Sequence, residues 1–509
     1  MKSIEAVVND IRPEILGHFI NGTEVAGPER YSEVFNPATG AVSKHLSLAG
    51  PDELEQAIDA AKASGPVWRQ TPPQKRAQVL FRYRELLVRH AAEICQLITA
   101  EHGKVITDAH GELSRGIEIV DYACGISELL KGEHSKNAGS AIDSWSEFQP
   151  LGLVAGITPF NFPAMVPLWM FPLAIACGNT FLLKPSERDP GAPLLLARLF
   201  QEAGLPDGVL SVINGDREIV NLMLQDKRIA AVSFVGSTLI AESVYRRASA
   251  SGKRVQALGG AKNHAVIMPD ADVGSTVSAL IGAAYGSSGE RCMAISVVVC
   301  VGEDTAERTV ASLRERLAEL KIGPGNDAEN DMGPLISDQA LARVKSYIGE
   351  GVAAGATLVV DGRQVSVPGF DRGFFLGPSL FDHVTSEMSI YRDEIFGPVL
   401  CVVRVETLEM AMTLVNQHEY GNGSCIFTRD GETARLFTDN VLAGMVGVNI
   451  ALPVPVANQS FGGCKRSLFG DLYVYGPDAI RFYTRRKTIT QRWPSSSTAE
   501  QTSFSFPSG

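Results

Sequence analysis

Between residues 50 and 131 apolar residues return every three or four positions between charged ones, which predicts amphipathic helices, the longest over 51–63 and 73–100. From Pro150 the period changes. Residues 151–157 and 180–184 are short apolar runs of strand length. They alternate with an apolar helical segment over 163–177 and with a helix over 191–203 that Gly204 ends. The alternation continues through a strand at 209–213, a helix near 219–225 and a strand at 231–235 that breaks at Gly236. Strand and helix in turn predict a parallel sheet covered on both faces. A second series begins near Ala265 and runs to about Ile450, so a second lobe is expected, with the boundary near 259–263. Ligands of such sheets bind beyond the carboxyl ends of the strands, which directs attention to the loops after Ile157, Lys184 and Val235.

Length agrees with two lobes, since 509 residues exceed the roughly 250–300 at which a single core stops growing. With 45% hydrophobic and 20% charged residues the composition is that of a globular protein. No run of about 18 uninterrupted apolar residues could span a bilayer. The longest apolar stretch, 165–178, contains Pro167, Trp169 and Pro172 and reads as buried structure. A net charge of −11 with scattered Lys and Arg argues against nucleic acid as a partner. Residues 1–13 lack the charged-then-apolar layout of a secretory signal, so a cytoplasmic location is expected. The Ser/Thr-rich stretch 495–509 has little to bury and is expected to be a mobile tail.

Eight dispersed cysteines form no C-x-x-C pair and have no His at ligand spacing, so neither a disulfide framework nor a metal site is indicated. Most sit among apolar residues. Cys292 instead stands in Tyr285-Gly-Ser-Ser-Gly-Glu-Arg-Cys-Met293, a glycine-rich polar loop with Arg291 beside it, a setting that lowers a thiol pKa. No G-x-G-x-x-G fingerprint follows any strand. The turn Phe234-Val-Gly-Ser-Thr238 could aim backbone N–H groups and a hydroxyl at a pyrophosphate, and is equally consistent with an ordinary strand-to-helix turn. In Lys184-Pro-Ser-Glu187 the Glu could accept both hydroxyls of an unphosphorylated ribose and repel a 2′-phosphate; an exposed loop with two solvated charges is the alternative.

Seven segments together carry a resemblance. Thr158-Pro-Phe-Asn-Phe-Pro163, Lys184-Pro-Ser-Glu187, Phe234-Val-Gly-Ser237, Leu258-Gly-Gly260, the Cys292 loop, Glu394-Ile-Phe-Gly-Pro398 and Ser460-Phe-Gly-Gly463 resemble, in order and spacing, the motifs of the aldehyde dehydrogenase superfamily. Within it the chain is most similar to the CoA-acylating methylmalonate-semialdehyde dehydrogenase branch, through Ala257-Leu-Gly-Gly-Ala-Lys-Asn-His264, Gly289-Glu-Arg-Cys-Met-Ala294, Arg115-Gly-Ile-Glu118, Phe469-Gly-Asp471, Arg481-Phe-Tyr-Thr484 and Arg492-Trp-Pro494.

The resemblance implies an α/β fold with a Rossmann-like NAD-binding lobe (1–131 and 151–262), a catalytic lobe (263–455), and small β segments (132–150 and 456–494) that pair between subunits of a dimer or tetramer. It implies Cys292 as nucleophile and the Asn161 side-chain amide as oxyanion donor. It places Thr158, Phe160, Lys184, Glu187, Arg188, Gly236, Ser237, Glu394 and Phe396 around NAD. Arg115, Arg291 and Phe162 would receive a semialdehyde carrying a carboxylate, which coenzyme A would then collect as an acyl group. Hydrolytic members carry a Glu where this chain has Ala257, which cannot act as a base.

Two positions depart from the branch. Glu290 stands where Gln is expected and could repel a substrate carboxylate or supply the missing base, and 471–476 differs from the His-containing segment of close relatives. A CoA-independent dehydrogenase that hydrolyses the thioester of another short semialdehyde is therefore the alternative within the family, and a non-catalytic dinucleotide-binding protein the alternative outside it.

Overall fold

The structure, a computed structural model, describes residues 14–28 and 30–493. The stretch 1–13, expected to lack a secretory signal, and the stretch 495–509, expected to be a mobile tail, lie outside the described residues.

Two parallel-stranded sheets organise the chain. The first has eight strands in the order Leu468–Phe469, Arg254–Leu258, Ile229–Val235, Leu153–Ile157, Thr180–Lys184, Leu210–Val212, His18–Ile20, Thr23–Val25. Its five central strands are parallel and its edges antiparallel. Leu153–Ile157 lies between strands that come later in the chain on both sides, so the strand order reverses beside it. That reversal opens the crevice in which α/β sheets hold ligands. The second sheet runs Thr357–Val360, Ser379–Asp382, Val399–Val405, Ile295–Val301, Asn263–Ile267, Gly423–Phe427, Met445–Val448, parallel except at its first strand. The chain passes from one sheet to the other between Leu258 and Asn263.

Each sheet is covered by helices whose apolar faces the sequence pattern marks. The apolar segment at 163–177 forms the helix Met165–Ala176, every residue of which is buried. A fully buried Leu or Phe side chain stabilises by roughly 1.5–3 kcal/mol, so this helix anchors the first lobe. The helix expected over 73–100 is two, Pro73–Arg89 and Ala91–His102. His90, at φ −94° and ψ 13°, ends the first and starts the second, and its ring meets the Glu93 carboxylate at 2.8 Å. The apolar face runs on across the break, which is why periodicity alone does not reveal it.

The segments expected to pair between subunits pair with each other inside the chain: Thr484–Arg492 lies antiparallel to Ile142–Pro150, which joins His134–Gly139. The rest of 456–494 folds elsewhere. Phe461 reaches the cavity described below, Leu468–Phe469 extends the first sheet, and Gly476–Tyr483 is helical.

Candidate active site

The loop that carries Cys292 joins the helix Val273–Tyr285 to the strand Ile295–Val301. Ser287 and Ser288 both adopt φ +52°, a left-handed conformation costing non-glycine residues about 1–3 kcal/mol each, and Gly289 follows at φ +72°. At Gly289 a Cβ would lie 2.3 Å from the Gly397 carbonyl oxygen, so only glycine fits. Two asparagines fix what comes next. The Cys292 carbonyl accepts from Asn263 Nδ2 at 2.9 Å and from Asn422 Nδ2 at 3.2 Å, while Asn263 also donates to Ala294 O and accepts from Gly423 N, both at 2.9 Å.

Cys292 and Cys464 are half-buried, and the other six cysteines are buried. The Cys292 side chain faces a cavity of about 550 Å³ walled by Arg115, Phe162, Trp169, Arg291, Val454 and Phe461. Its thiol is pushed up to about 12, first by burial and then by Glu394, against two backbone N–H groups and, least, Arg291. The sequence-based expectation that Arg291 lowers this pKa is therefore outweighed. Arg291 pulls in the expected direction, but its guanidinium is paired with Asp108 at 2.5 Å and burial dominates.

Asn161 is 3% exposed and belongs to the loop that follows Leu153–Ile157. An ion pair with both partners essentially unexposed holds that loop. Lys104 Nζ donates to Glu112 at 2.8 Å and to the Asn161 carbonyl at 2.6 Å, and lies 4.4 Å from the Phe162 ring centroid. Glu112 in turn accepts from the N–H groups of Ala164 (2.8 Å) and Met165 (3.0 Å), satisfying orphan donors where the buried helix begins. Sequence reasoning missed Lys104, Glu112, Asn263 and Asn422. A Lys and a Glu eight apart at an amphipathic helix look like solvated charges, and an Asn that binds backbone carries no pattern at all.

Arg115 and Arg291 come from distant segments to the same cavity, as does Phe162. Arg115 donates to Glu118 and to Pro455 O, each at 2.6 Å.

The residues expected around NAD lie at the carboxyl ends of, or in the loops after, Leu153–Ile157, Thr180–Lys184 and Ile229–Val235 of the first sheet and, for Glu394 and Phe396, just before Val399–Val405 of the second. Thr158 is buried with its hydroxyl unpartnered, beyond the end of Leu153–Ile157. Phe160 is enclosed by Phe396 (5.9 Å, edge-on), His102 (6.0 Å, stacked) and the Arg188 guanidinium (5.8 Å), with Phe396 at φ +54°. Lys184 bonds Glu187 at 2.9 Å and, although burial opposes it, holds that carboxyl below its usual range. At Gly236 a Cβ would lie 2.6 Å from the Phe234 ring. Ser237 precedes the helix Thr238–Ala250 and its hydroxyl makes no capping bond, leaving it available to a ligand. Glu394 accepts from Ala261 N at 2.9 Å, and burial raises its carboxyl to about 7. Glu394 and Phe396 share a small void with Cys292, while Glu187 and Arg188 open on a separate cavity of about 810 Å³.

The two unusual positions fall as follows. Ala257 is fully buried in the first sheet among apolar neighbours. Glu290 is also fully buried, with its carboxyl raised to about 8 by burial. It accepts from the Ile336 N–H at 3.2 Å and is absent from the walls of the Cys292 cavity, so it is not placed to repel a substrate carboxylate or to serve as a base there.

The protein is 64% identical over 493 residues to malonate-semialdehyde dehydrogenase of Pseudomonas aeruginosa, covering 97% of this chain and 99% of that one. Its fold matches the crystal structure of methylmalonate-semialdehyde dehydrogenase from Oceanimonas doudoroffii with a TM-score of 0.94 and 63% identity, covering 96% and 100% of the two chains. It also matches a Sinorhizobium meliloti protein solved complexed with NAD, with a TM-score of 0.95 and 53% identity, covering 96% and 99%. The model of the aldehyde dehydrogenase family matches residues 24–489. The resemblance carried by the seven segments is borne out across nearly the whole length, and the chain belongs to the aldehyde dehydrogenase family.

Proposed function

We propose that the protein oxidises malonate semialdehyde and methylmalonate semialdehyde with NAD, passing the acyl group to coenzyme A and releasing acetyl-CoA or propionyl-CoA with CO₂. The observation that carries this reading is the pairing of one accessible thiol, Cys292, with two arginines in the walls of a single cavity. A guanidinium offers a carboxylate a planar two-point match. The names of the relatives support the substrate, and the NAD complex of the Sinorhizobium meliloti neighbour supports the cofactor.

The crevice fits NAD on its own terms. Thr158 offers an unpartnered buried hydroxyl, Ser237 an uncapped one, and Glu187 an ionised carboxylate that would accept ribose hydroxyls and repel a 2′-phosphate. Glu394, Phe396 and Phe160 would enclose the end nearest Cys292. Bound there, NAD supplies a hydride acceptor.

The chain's own residues do the rest. Cys292, once deprotonated, adds its sulfur to the aldehyde carbon, and the resulting oxyanion is stabilised by the Asn161 amide and the Cys292 N–H. Loss of hydride leaves a thioester on Cys292. The bond to the carboxylate then breaks, CO₂ departs, and the electron pair left on the α-carbon takes a proton. With alanine at 257 and Glu290 turned toward Ile336, neither of these two positions supplies a carboxylate base to activate water. The thioester therefore survives until the thiol of coenzyme A attacks it and frees Cys292.

The reading extends to a homo-oligomer, dimer or tetramer, through the exposed sheet of His134–Gly139, Ile142–Pro150 and Thr484–Arg492, and to the cytoplasm. Eight free cysteines suit a reducing compartment, and among the described residues no helix is long and apolar enough to cross a membrane.

The test is NADH production from each semialdehyde with and without coenzyme A, with the acyl product identified. Turnover that rises with coenzyme A and yields acetyl-CoA or propionyl-CoA supports the reading. Equal rates without coenzyme A would replace it with a hydrolytic dehydrogenase. Cys292→Ala should abolish turnover and leave NAD binding nearly intact; residual activity above about a tenth would remove Cys292 as nucleophile.

A further inference from the structure

Both cations in the Cys292 cavity are already engaged. Arg115 is bound by Glu118 and by the carbonyls of Pro455 and Val454. Arg291 is bound by Asp108 at 2.5 Å and by Gly282 O at 3.2 Å. A substrate carboxylate thus meets no uncompensated arginine, and binding requires one of the two pairs to give way.

The pairs are not equally able to do so. Arg115 is tied to two backbone carbonyls that stay in place whatever Glu118 does. Arg291 has one longer backbone bond and lies against Gly286, where a Cβ would sit 2.6 Å from Nη1, so glycine leaves the guanidinium room to move. Asp108 holds it through a single oxygen, while its other oxygen, Oδ2, is buried without a partner. Asp108 also lies in the first turn of the helix Ile106–Cys124, whose free N–H groups partly compensate a carboxylate that has let go of its cation. Asp108 and Arg291, with Leu452, line both the Cys292 cavity and an adjoining cavity of about 830 Å³, so the pair forms part of the partition between them.

We propose that Asp108 is a counter-carboxylate: it occupies Arg291 in the free enzyme, yields it to the carboxylate of the incoming semialdehyde, and thereby sets the preference between carboxylate-bearing and neutral aldehydes. The inference rests on the reading of Arg291 as a carboxylate receptor. Asp108 acts through Arg291 and is a specificity-determining residue, not a catalytic one. Its charge opposes the substrate, because a displaced Asp108 remains beside the anion that displaced it. Once CO₂ has left, the acyl chain carries no anion and Asp108 regains Arg291.

The test compares malonate semialdehyde with propionaldehyde, which has the same chain length and no carboxylate, in the full-length enzyme. Asp108→Asn and Asp108→Ser are both made and checked by melting temperature, so that one folded variant suffices; Asp108→Glu retains the charge. In the neutral variants the KM for malonate semialdehyde should fall about tenfold while that for propionaldehyde moves less than about twofold, and Asp108→Glu should show no such fall. A KM that rises for malonate semialdehyde, or shifts equally for both aldehydes, overturns the proposal. Arg291→Gln separates the two ideas. If it abolishes the preference while the Asp108 variants leave the preference untouched, the counter-carboxylate alone fails; if Arg291→Gln leaves the preference intact, the receptor reading fails and the proposal with it.

Discussion

Removing one member of the buried Lys104–Glu112 pair should damage both stability and chemistry, and removing both should damage stability less. At 2.8 Å and an effective dielectric near 20 the gross attraction is about 6 kcal/mol, most of it spent in taking two ions out of water. What a single substitution costs is the charge left behind. Lys104→Met strands Glu112 without exposure to solvent, and breaking such a pair costs about 3–5 kcal/mol. It also takes a donor from the Asn161 carbonyl. Loss of a whole oxyanion donor costs about 10²–10³ in kcat, so a displaced Asn161 should cost roughly tenfold. In Lys104→Met/Glu112→Leu neither charge remains, and the residual stability loss should be that of uncapping Ala164 N and Met165 N, about 1 kcal/mol. Guanidinium denaturation at one fixed protein concentration, with kcat measured on the same preparations, reads both effects. Single variants that denature at the wild-type midpoint, or a double variant as unstable as the two singles summed, would refute the argument.

Two further outcomes follow from the site. With the Cys292 thiol held near 12, thiolate is scarce at neutral pH in the free enzyme, and its fraction grows as pH rises toward that value. Inactivation by iodoacetamide without NAD should therefore climb about tenfold per pH unit from 7 to 9, and a plateau near pH 7 would contradict the burial argument. Glu187→Gln removes the carboxylate that Lys184 keeps ionised, so the ratio of kcat/KM with NAD to that with NADP should drop at least about tenfold; an unchanged ratio would place cofactor discrimination elsewhere.

The strands at 153–157 and 180–184 are readable because short apolar runs between Gly, Pro and Asn leave the chain little else to do. The helix Met165–Ala176 is readable as buried because no face of it is polar. The short strands Glu14–Leu16, Tyr31–Asn36 and Ala41–Ser47 escaped, since few of their residues are buried and they carry no clean alternation. At the site the ordered motifs lead to Cys292, Asn161 and the crevice residues. They do not reveal what holds them. Lys104 acts on a carbonyl 57 positions away, Asn422 on one 130 away, and Asp108 pairs with Arg291 across 183. Such contacts exist only once each lobe has folded, and the last of them only once the two lobes meet. The thiol's raised pKa is hidden for a related reason: Arg291 is next to Cys292 in sequence, but burial and Glu394 are facts of three dimensions.

The two asparagines behind Cys292 have a consequence for how such a site could be rebuilt. Because Asn263 and Asn422 grip the Cys292 carbonyl from the second sheet, the sulfur takes its coordinates from the scaffold, and the strained turn before it serves mainly as a leash. A designer could re-letter wall residues such as Val454 or Phe461 to admit a bulkier aldehyde and expect the Cys292 sulfur to stay where it is. Trading either asparagine for a hydrophobe would forfeit that freedom, and every subsequent loop would have to be tuned anew.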